Sequence, residues 1–372
     1  MRILIAPTAF KGTFSPAELA EAILSGVNSF SEQSHLDVYI DSLPLADGGD
    51  GTIEALSLSS GVMKNRLLVR GQDGEPRTAY WLKLGDELVV ELASACGIAA
   101  LRELRPMAAD TRGLGELMRH LLETEKFSGF VIALGGSAST DGGAGALHEL
   151  GVRFFDAAGD NVVPAGGGSL KRIARLDLSR AESLLSGKRL RIACDVNNPL
   201  LGGDGAAYVF APQKGADPEQ VKELDSALAH FADCLEFASG RKVRSLAGAG
   251  AAGGTAFGFS AAFGAEIISG FEWMSGILNL EKRLESCDLL ITGEGRIDES
   301  SLQGKVVGSL RNLCLAKSKQ IIYLAGALAL SPAFKAEANE HFVNAASPGA
   351  IAGLADIAAA VSSSLKCLYS KS

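Results

Sequence analysis

Asp288-Leu289-Leu290-Ile291-Thr292-Gly293-Glu294-Gly295-Arg296-Ile297-Asp298 is the stretch on which the fold turns. It opens as a short apolar run, the pattern of a strand buried on both faces, and then breaks into glycine threaded with charge. Thr292 to Asp298 therefore reads as a loop at a strand end. Downstream, residues 305–316 have helical spacing and residues 320–325 form another apolar strand. Strand, loop, helix and strand in that order predict a parallel α/β sheet.

The same grammar opens the chain. Residues 2–6 are a short apolar run, and Ser15-Pro16-Ala17-Glu18 is a capping box with proline at the first helical position, so a helix is expected over 16–25. A second strand is expected at 38–42, ending in the loop Pro44-Leu45-Ala46-Asp47-Gly48-Gly49-Asp50-Gly51, with a helix starting at Thr52. Between 69 and 96 the texture changes to alternating aromatic and β-branched residues broken by Gly71-Gln72-Asp73-Gly74 and Gly85-Asp86, which predicts antiparallel hairpins. Apolar strands return at 130–134 and 190–194. The expected fold is α/β: a doubly wound, mostly parallel sheet domain with a second, mixed α/β domain inserted in its sequence. Residues 1–67 and 286–372 are expected to form the discontinuous Rossmann-like or flavodoxin-like domain, and 68–285 the insertion.

At 372 residues and 47% hydrophobic content the chain can bury a sizeable core in two domains. A formal net charge of −8 and a pI near 5.3 argue against nucleic-acid and membrane-surface partners, which select clustered Lys and Arg. Cys96, Cys194, Cys234, Cys287, Cys314 and Cys367 form no CxxC pair and read as reduced core thiols. Residues 1–6 are too short for a signal-peptide apolar region and lead soon to Lys11, so a cytoplasmic location is expected. Residues 251–271 carry Glu266 as their one charge, yet their Gly and Ala density points to close packing or a ligand instead of a membrane span.

The 44 glycines concentrate after predicted strands, where open α/β sheets bind ligands. Gly135-Gly136-Ser137-Ala138-Ser139-Thr140-Asp141-Gly142-Gly143-Ala144-Gly145 could offer backbone N–H groups and hydroxyls to a phosphate, or could be a tightly packed turn; Asp141 could cap a helix or sit near a metal. It is not a Walker A motif, because no Gly-Lys-Ser or Gly-Lys-Thr follows. Asp47 and Asp50 on a glycine turn could bind Mg²⁺ or orient a hydroxyl, or make a plain Asp-Gly turn. Glu294, Arg296 and Asp298, followed by Lys305, supply the residue types of phosphoryl transfer, with surface salt bridging as the alternative. Asp195, Asn197 and Asn198 could read a small polar acid or make Asx turns. Lys11 could meet a phosphate or carboxylate. Gly248-Ala249-Gly250-Ala251-Ala252-Gly253 fits G-x-G-x-x-G, but the polar residues before it are no strand. The five histidines fit no metal spacing and none lies in these loops, which argues against histidine catalysis.

Taken together, these loops resemble the type I glycerate kinase family over nearly the whole chain. The resemblance is carried by Phe10-Lys11-Gly12-Thr13, the segment from Pro44 to Thr52, the Gly135 to Gly145 loop, the segment from Cys194 to Leu201, Pro212-Gln213-Lys214-Gly215-Ala216, Gly250 to Gly254, and Ile291 to Asp298 with Gly304-Lys305. Departures occur at Thr8-Ala9, where the family often has Asp-Ser, and at Asp50, Thr140 and Ser300-Ser301.

The resemblance implies ATP-dependent phosphorylation of D-glycerate, commonly at the 2-hydroxyl, with Mg²⁺, in the cleft of a two-domain α/β fold. In that setting Gly135, Gly136, Ser137, Ser139, Gly142, Gly143 and Lys305 would bind the nucleotide. Asp47 or Glu294 would hold Mg²⁺, and Arg296, Asn197, Asn198 and Asp50 would face the substrate. Lys11 would offset phosphoryl charge, and either Asp298 or Asp195 would take the hydroxyl proton, with Asp298 preferred. The expected partners are small molecules, with no nucleic acid or membrane and with a homodimer left open. A kinase for another hydroxy or sugar acid, a non-catalytic sensor of small acids and a dehydrogenase are the alternatives.

Overall fold

A computed structural model describes residues 1–10, 13–299, 301–302, 306–331, 340–345 and 353–369. In chain order its strands are β1 (Arg2–Ile5), β2 (Tyr39–Ser42), β3 (Asn65–Arg70), β4 (Pro76–Leu84), β5 (Glu87–Glu91), β6 (Gly129–Ala133), β7 (Arg153–Phe155), β8 (Asn161–Val162), β9 (Arg175–Asp177), β10 (Arg189–Ala193), β11 (Glu266–Ile268), β12 (Leu289–Asp298), β13 (Gln320–Ala329) and β14 (His341–Asn344). Two compact units divide them. The first takes Met1–Asp47, Glu54–Gly61 and Phe271–Ser372; the second takes Gly48–Ile53 and Val62–Gly270. The last break between the units thus falls between residues 270 and 271, where one after residue 285 was expected. From Phe271 onward the helix Gly270–Ile277, and with it the helix Leu280–Ser286, goes with the first unit, where Met274 Sδ accepts a hydrogen bond from Ala46 N and Arg283 pairs with Asp41 at 2.6 Å.

The first unit is built on a parallel sheet in the order β14-β13-β12-β1-β2. Numbered within this unit, that is the 2-1-3-4-5 order of flavodoxin-like sheets, with a switch point between β1 and β12. The central β1 and the first half of β12 are apolar without alternation because both faces are covered: Ile3, Leu4, Ile5, Leu289, Leu290 and Ile291 are all buried. The capping box forms, with Glu18 N donating to Ser15 Oγ and Ser15 N to Glu18 Oε2. The helix runs over Pro16–Ser34, past the expected end at residue 25. Gly26 is a contact point there, not a stop. A Cβ at this position would lie 2.4 Å from Ala358 O in the helix Leu354–Tyr369, so glycine lets the two helices touch.

The expected loop from Thr292 to Asp298 is instead the second half of β12. It stays paired with β13 from Gly293↔Leu324 to Asp298↔Ala329. Glycine and charge made it read as irregular; in the fold the partner strand supplies its hydrogen bonds, and Thr8 N and Oγ1 both donate to Gly293 O.

The second unit has a mixed six-stranded sheet in the order β11-β10-β6-β5-β4-β3. The strands β11, β10, β6 and β5 are parallel, and β5-β4-β3 form the expected antiparallel hairpins. Residues 92–96 end that segment as a short helix, not a strand. Leu88, Val90, Phe130, Ile132, Leu114 and Met118 belong to one core, and Phe154, Leu224, Phe231 and Phe257 to another under the small sheet β8-β7-β9. The Gly- and Ala-rich stretch forms the helix Ala251–Phe263, buried along most of its length. Among the described residues no helix is long and apolar enough to cross a membrane. Cys96, Cys194, Cys287 and Cys314 are buried free thiols, Cys234 is half-buried, and Cys367 lies at the surface.

Candidate functional site

In the second unit β5, β6 and β10 run parallel, so their carboxyl ends share one sheet edge, where open α/β sheets place ligands. The Gly48–Ile53 segment docks there. Gly48 has φ +78°, and a Cβ on it would lie 2.8 Å from Ala193 O at the end of β10. A Cβ on Gly135 would meet Gly49 Cα at 2.4 Å, and one on Gly136 would come within 3.2 Å of Asp50 Cβ. Two loops that the sequence singled out separately are therefore in contact, and they need glycine to be so. Asp50 is exposed at this edge, Gly136 is exposed and Gly135 half-buried. Asp195, just past β10, is half-buried, and its Oδ1 accepts Ser269 Oγ at 2.8 Å and Gly270 N at 3.0 Å.

Glu91 at the end of β5 anchors the docked segment. Its Oε2 accepts Ile53 N at 2.9 Å, and the backbone N–H groups of Gly51 and Thr52 lie close enough to act on its charge. Burial raises its pKa to about 7, and the nearby Asp50 charge adds to the rise while the three backbone donors oppose it. Sequence reasoning missed Glu91, because a glutamate closing an amphipathic strand gives no sign that a distant turn will cover it.

The glycine loop after β6 serves two ends. Asp141 is fully buried: Oδ2 accepts Thr111 N, Thr111 Oγ1 and Gly145 N, and Oδ1 accepts Gly143 N. It stands two residues before Gly143, the N-cap of the helix Ala144–Glu149, and takes up the first-turn N–H of Gly145. Burial and then the Asp110 charge raise its pKa against those hydrogen bonds. Gly142 N donates to Gly253 O, and Cβ atoms at Gly142 and Gly143 would press on the Phe231 ring at 2.9 Å and on Thr255 Cα at 3.2 Å. The backbone donors of Gly142 and Gly143, expected at a phosphate, are thus satisfied inside the protein, and positive φ with close packing explains the glycines. Ser137, Ser139 and Thr140 are buried, and among the described residues the hydroxyl oxygens of Ser139 and Thr140 have no hydrogen-bond partner.

Beneath this loop lies Lys214, 2% exposed, whose ammonium donates to Ser137 Oγ at 2.8 Å and to Ser139 O. Burial lowers its pKa to about 7, with Asp141 acting in the opposite direction. Pro212-Gln213-Lys214-Gly215 contributed to the family resemblance, but a lysine on a short turn carries no local mark of burial. The G-x-G-x-x-G match is no dinucleotide turn: Gly253 has φ +66° in the kinked start of the helix Ala251–Phe263, and a Cβ there would strike Ser139 O.

In the first unit, the period of two along β12 sets Glu294, Arg296 and Asp298 on one face of its extension. Arg296 is 71% exposed with its Nε 3.8 Å from Asp298 Oδ2, and Asp298 Oδ1 accepts Ser301 N at 3.0 Å. Glu294 and Asp47 are half-buried. Asn197 is exposed in the second unit, whereas Asn198 shapes its own turn: Nδ2 donates to Asp204 O, and its carbonyl accepts Gly250 N. Lys11 and Lys305 lie outside the described residues. Among the described residues no three His, Cys, Asp or Glu side chains gather as a metal cage.

The model of the glycerate kinase family matches residues 3–366. The chain is 39% identical over 332 residues to a glycerate 2-kinase of Escherichia coli (strain K12), covering 88% of this chain and 86% of that protein. It is 37% identical to a glycerate kinase of Bacillus subtilis (strain 168), with 88% and 85% covered. A crystal structure described as a glycerate kinase 2 from Salmonella typhimurium LT2 superposes with a TM-score of 0.79 at 34% identity, covering 100% of this chain and 98% of that one. The chain belongs to the glycerate kinase family.

Proposed function

We propose that the protein transfers the γ-phosphoryl group of ATP to D-glycerate, with 2-phosphoglycerate as the product. The observation that carries the reading is the family match over residues 3–366, and the name of the Escherichia coli relative supports the 2-position. Carboxylates and glycine turns at strand ends in each unit supply suitable parts.

Gly135 and Gly136, the reachable start of the loop after β6, would face the nucleotide phosphates, with the Ser137 and Ser139 hydroxyls just beneath them and Lys305 adding donors. Gly142 and Gly143 would act by letting the loop pack. The donors at the strand ends are carboxylate oxygens, as Mg²⁺ prefers, and an ion that keeps waters and phosphate oxygens needs one or two of them, not a cage. Asp47 and Glu294 would hold it. Bound with ATP, Mg²⁺ supplies charge neutralisation at the terminal phosphates. Arg296 would pair with the glycerate carboxylate, Asp50, Asn197 and Asn198 would line the substrate, and Lys11 would offset phosphoryl charge. Asp298 would accept the proton of the attacking hydroxyl as its oxygen bonds to the γ-phosphorus and the bond to ADP breaks; Asp195 is the other candidate.

A test is ADP release measured with ATP, Mg²⁺ and a panel of small hydroxy acids. D-glycerate should be turned over fastest. A faster longer sugar acid would contradict the substrate, and ADP release independent of any acid would contradict transfer.

A further inference from the structure

We propose that Lys214 holds the Ser137 hydroxyl as a hydrogen-bond donor toward a nucleotide phosphate, acting as a positioning residue beneath the loop that follows β6. The inference rests on the reading of that loop as the ATP site.

An ammonium has three N–H donors and no acceptor, so in the 2.8 Å contact Ser137 Oγ must accept. The hydroxyl hydrogen is then turned away from Lys214, and a hydroxyl that already accepts from a cation is a stronger donor. Ser137 follows the exposed Gly136, so it stands where the buried loop meets the reachable one. The second Lys214 bond, to Ser139 O, fixes the backbone on the other side of Ala138. Burying an ammonium against a hydroxyl and a carbonyl is costly, and core packing alone would be served better by an apolar side chain of that length.

The charges around Lys214 favour the same role. Asp141 in the loop is the carboxylate acting on it, and behind Asp141 lie Asp110, ion-paired to Arg112 at 2.6 Å, and the buried Cys96 thiol, pushed up by burial. The helix Ala206–Phe210 brings the exposed Tyr208, and the segment near Gly215 carries Glu103 and Arg105, paired at the surface. As pH rises through about 7, Lys214 becomes an amine with a lone pair. Ser137 can then donate to it, and the outward donor is lost. ATP binding should weaken accordingly.

The test is calorimetric binding of ATP with Mg²⁺ to the full chain at about pH 6.5 and about pH 8.5, for the wild type, K214M, S137A and the double variant. ATP's own titration is common to all four proteins. At the lower pH each single substitution should weaken binding about tenfold or more, the range of hydrogen bonds to charged groups. The double variant should bind no more weakly than either single one, and the extra weakening of the wild type at high pH should vanish in all three. The KM for glycerate should change less than about twofold. K214M binding ATP like the wild type, effects that multiply in the double variant, or a change confined to glycerate would each overturn the proposal. If K214M does not fold, S137A, which removes a single hydroxyl, decides through its pH dependence. A wild type that fails to bind ATP at either pH would refute the site reading itself, whereas wild-type binding with unchanged variants refutes the role of Lys214 alone.

Discussion

Gly135 and Gly49 approach so closely that a Cβ on Gly135 would lie 2.4 Å from the Cα of Gly49. The contact joins the loop after β6 to the turn that carries Asp50. Gly135→Ala must push the two apart, since the obstructing atoms are backbone and cannot rotate away. Overpacking of this kind costs about 1–3 kcal/mol. We expect a lowered Tm in calorimetry and a fall in kcat/KM of about tenfold or more, whereas Gly61→Ala, with open space at its Cβ, should not disturb that loop contact.

Glu91 gives a pH dependence of stability. Its folded pKa, about 7, lies above the ordinary glutamate value of 4.5, so the folded state binds the proton more tightly. The stabilisation this gives is fully present below about 4.5 and is lost as pH rises through about 7. Glu91→Gln removes the linkage. The stability of the wild type relative to E91Q should therefore fall by roughly 3 kcal/mol between about pH 4.5 and pH 8, read from paired denaturant melts.

Lys214 has the opposite direction. A folded pKa lowered from 10.5 to about 7 means that the folded state binds this proton less tightly. The destabilisation is fully present below about 7 and is relieved as pH rises toward 10.5. The Tm of K214M relative to the wild type should therefore be highest near pH 6 and decline by pH 9. A difference that stays flat across that range would show that Lys214 is not held at a depressed pKa.

The proton acceptor is testable by substitution. Asp298→Asn should lower kcat by at least about a hundredfold with an intact thermal transition, the usual scale for loss of a general base. Asp195→Asn, which keeps an oxygen for Ser269 and Gly270, should cost less. The reverse order would move the role to Asp195.

How much of this was legible in the sequence follows from where the forces act. Ile3-Leu4-Ile5 and Leu289-Leu290-Ile291 announced the parallel sheet because strands covered on both faces cannot alternate. The hairpins near Gly85 were legible through their turn residues. The second half of β12 was not, since the pairing that holds Gly293 to Asp298 comes from β13 and leaves no local pattern. Ser15 and Glu18 fixed a helix start, while its end was hidden because Gly26 is explained by Ala358, far along the chain. In the candidate site, Asp50, Asp195 and the glycine loop stood out by composition. Glu91 and Lys214 did not, because their burial depends on residues 38 and 77 positions away.

The most direct measurement is phosphorus NMR of the product formed from ATP, Mg²⁺ and D-glycerate by the full chain. One phosphomonoester resonance matching 2-phosphoglycerate is expected, growing in step with ADP. A resonance matching 3-phosphoglycerate would contradict the proposed position of transfer, and the absence of any phosphoglycerate would contradict the kinase activity.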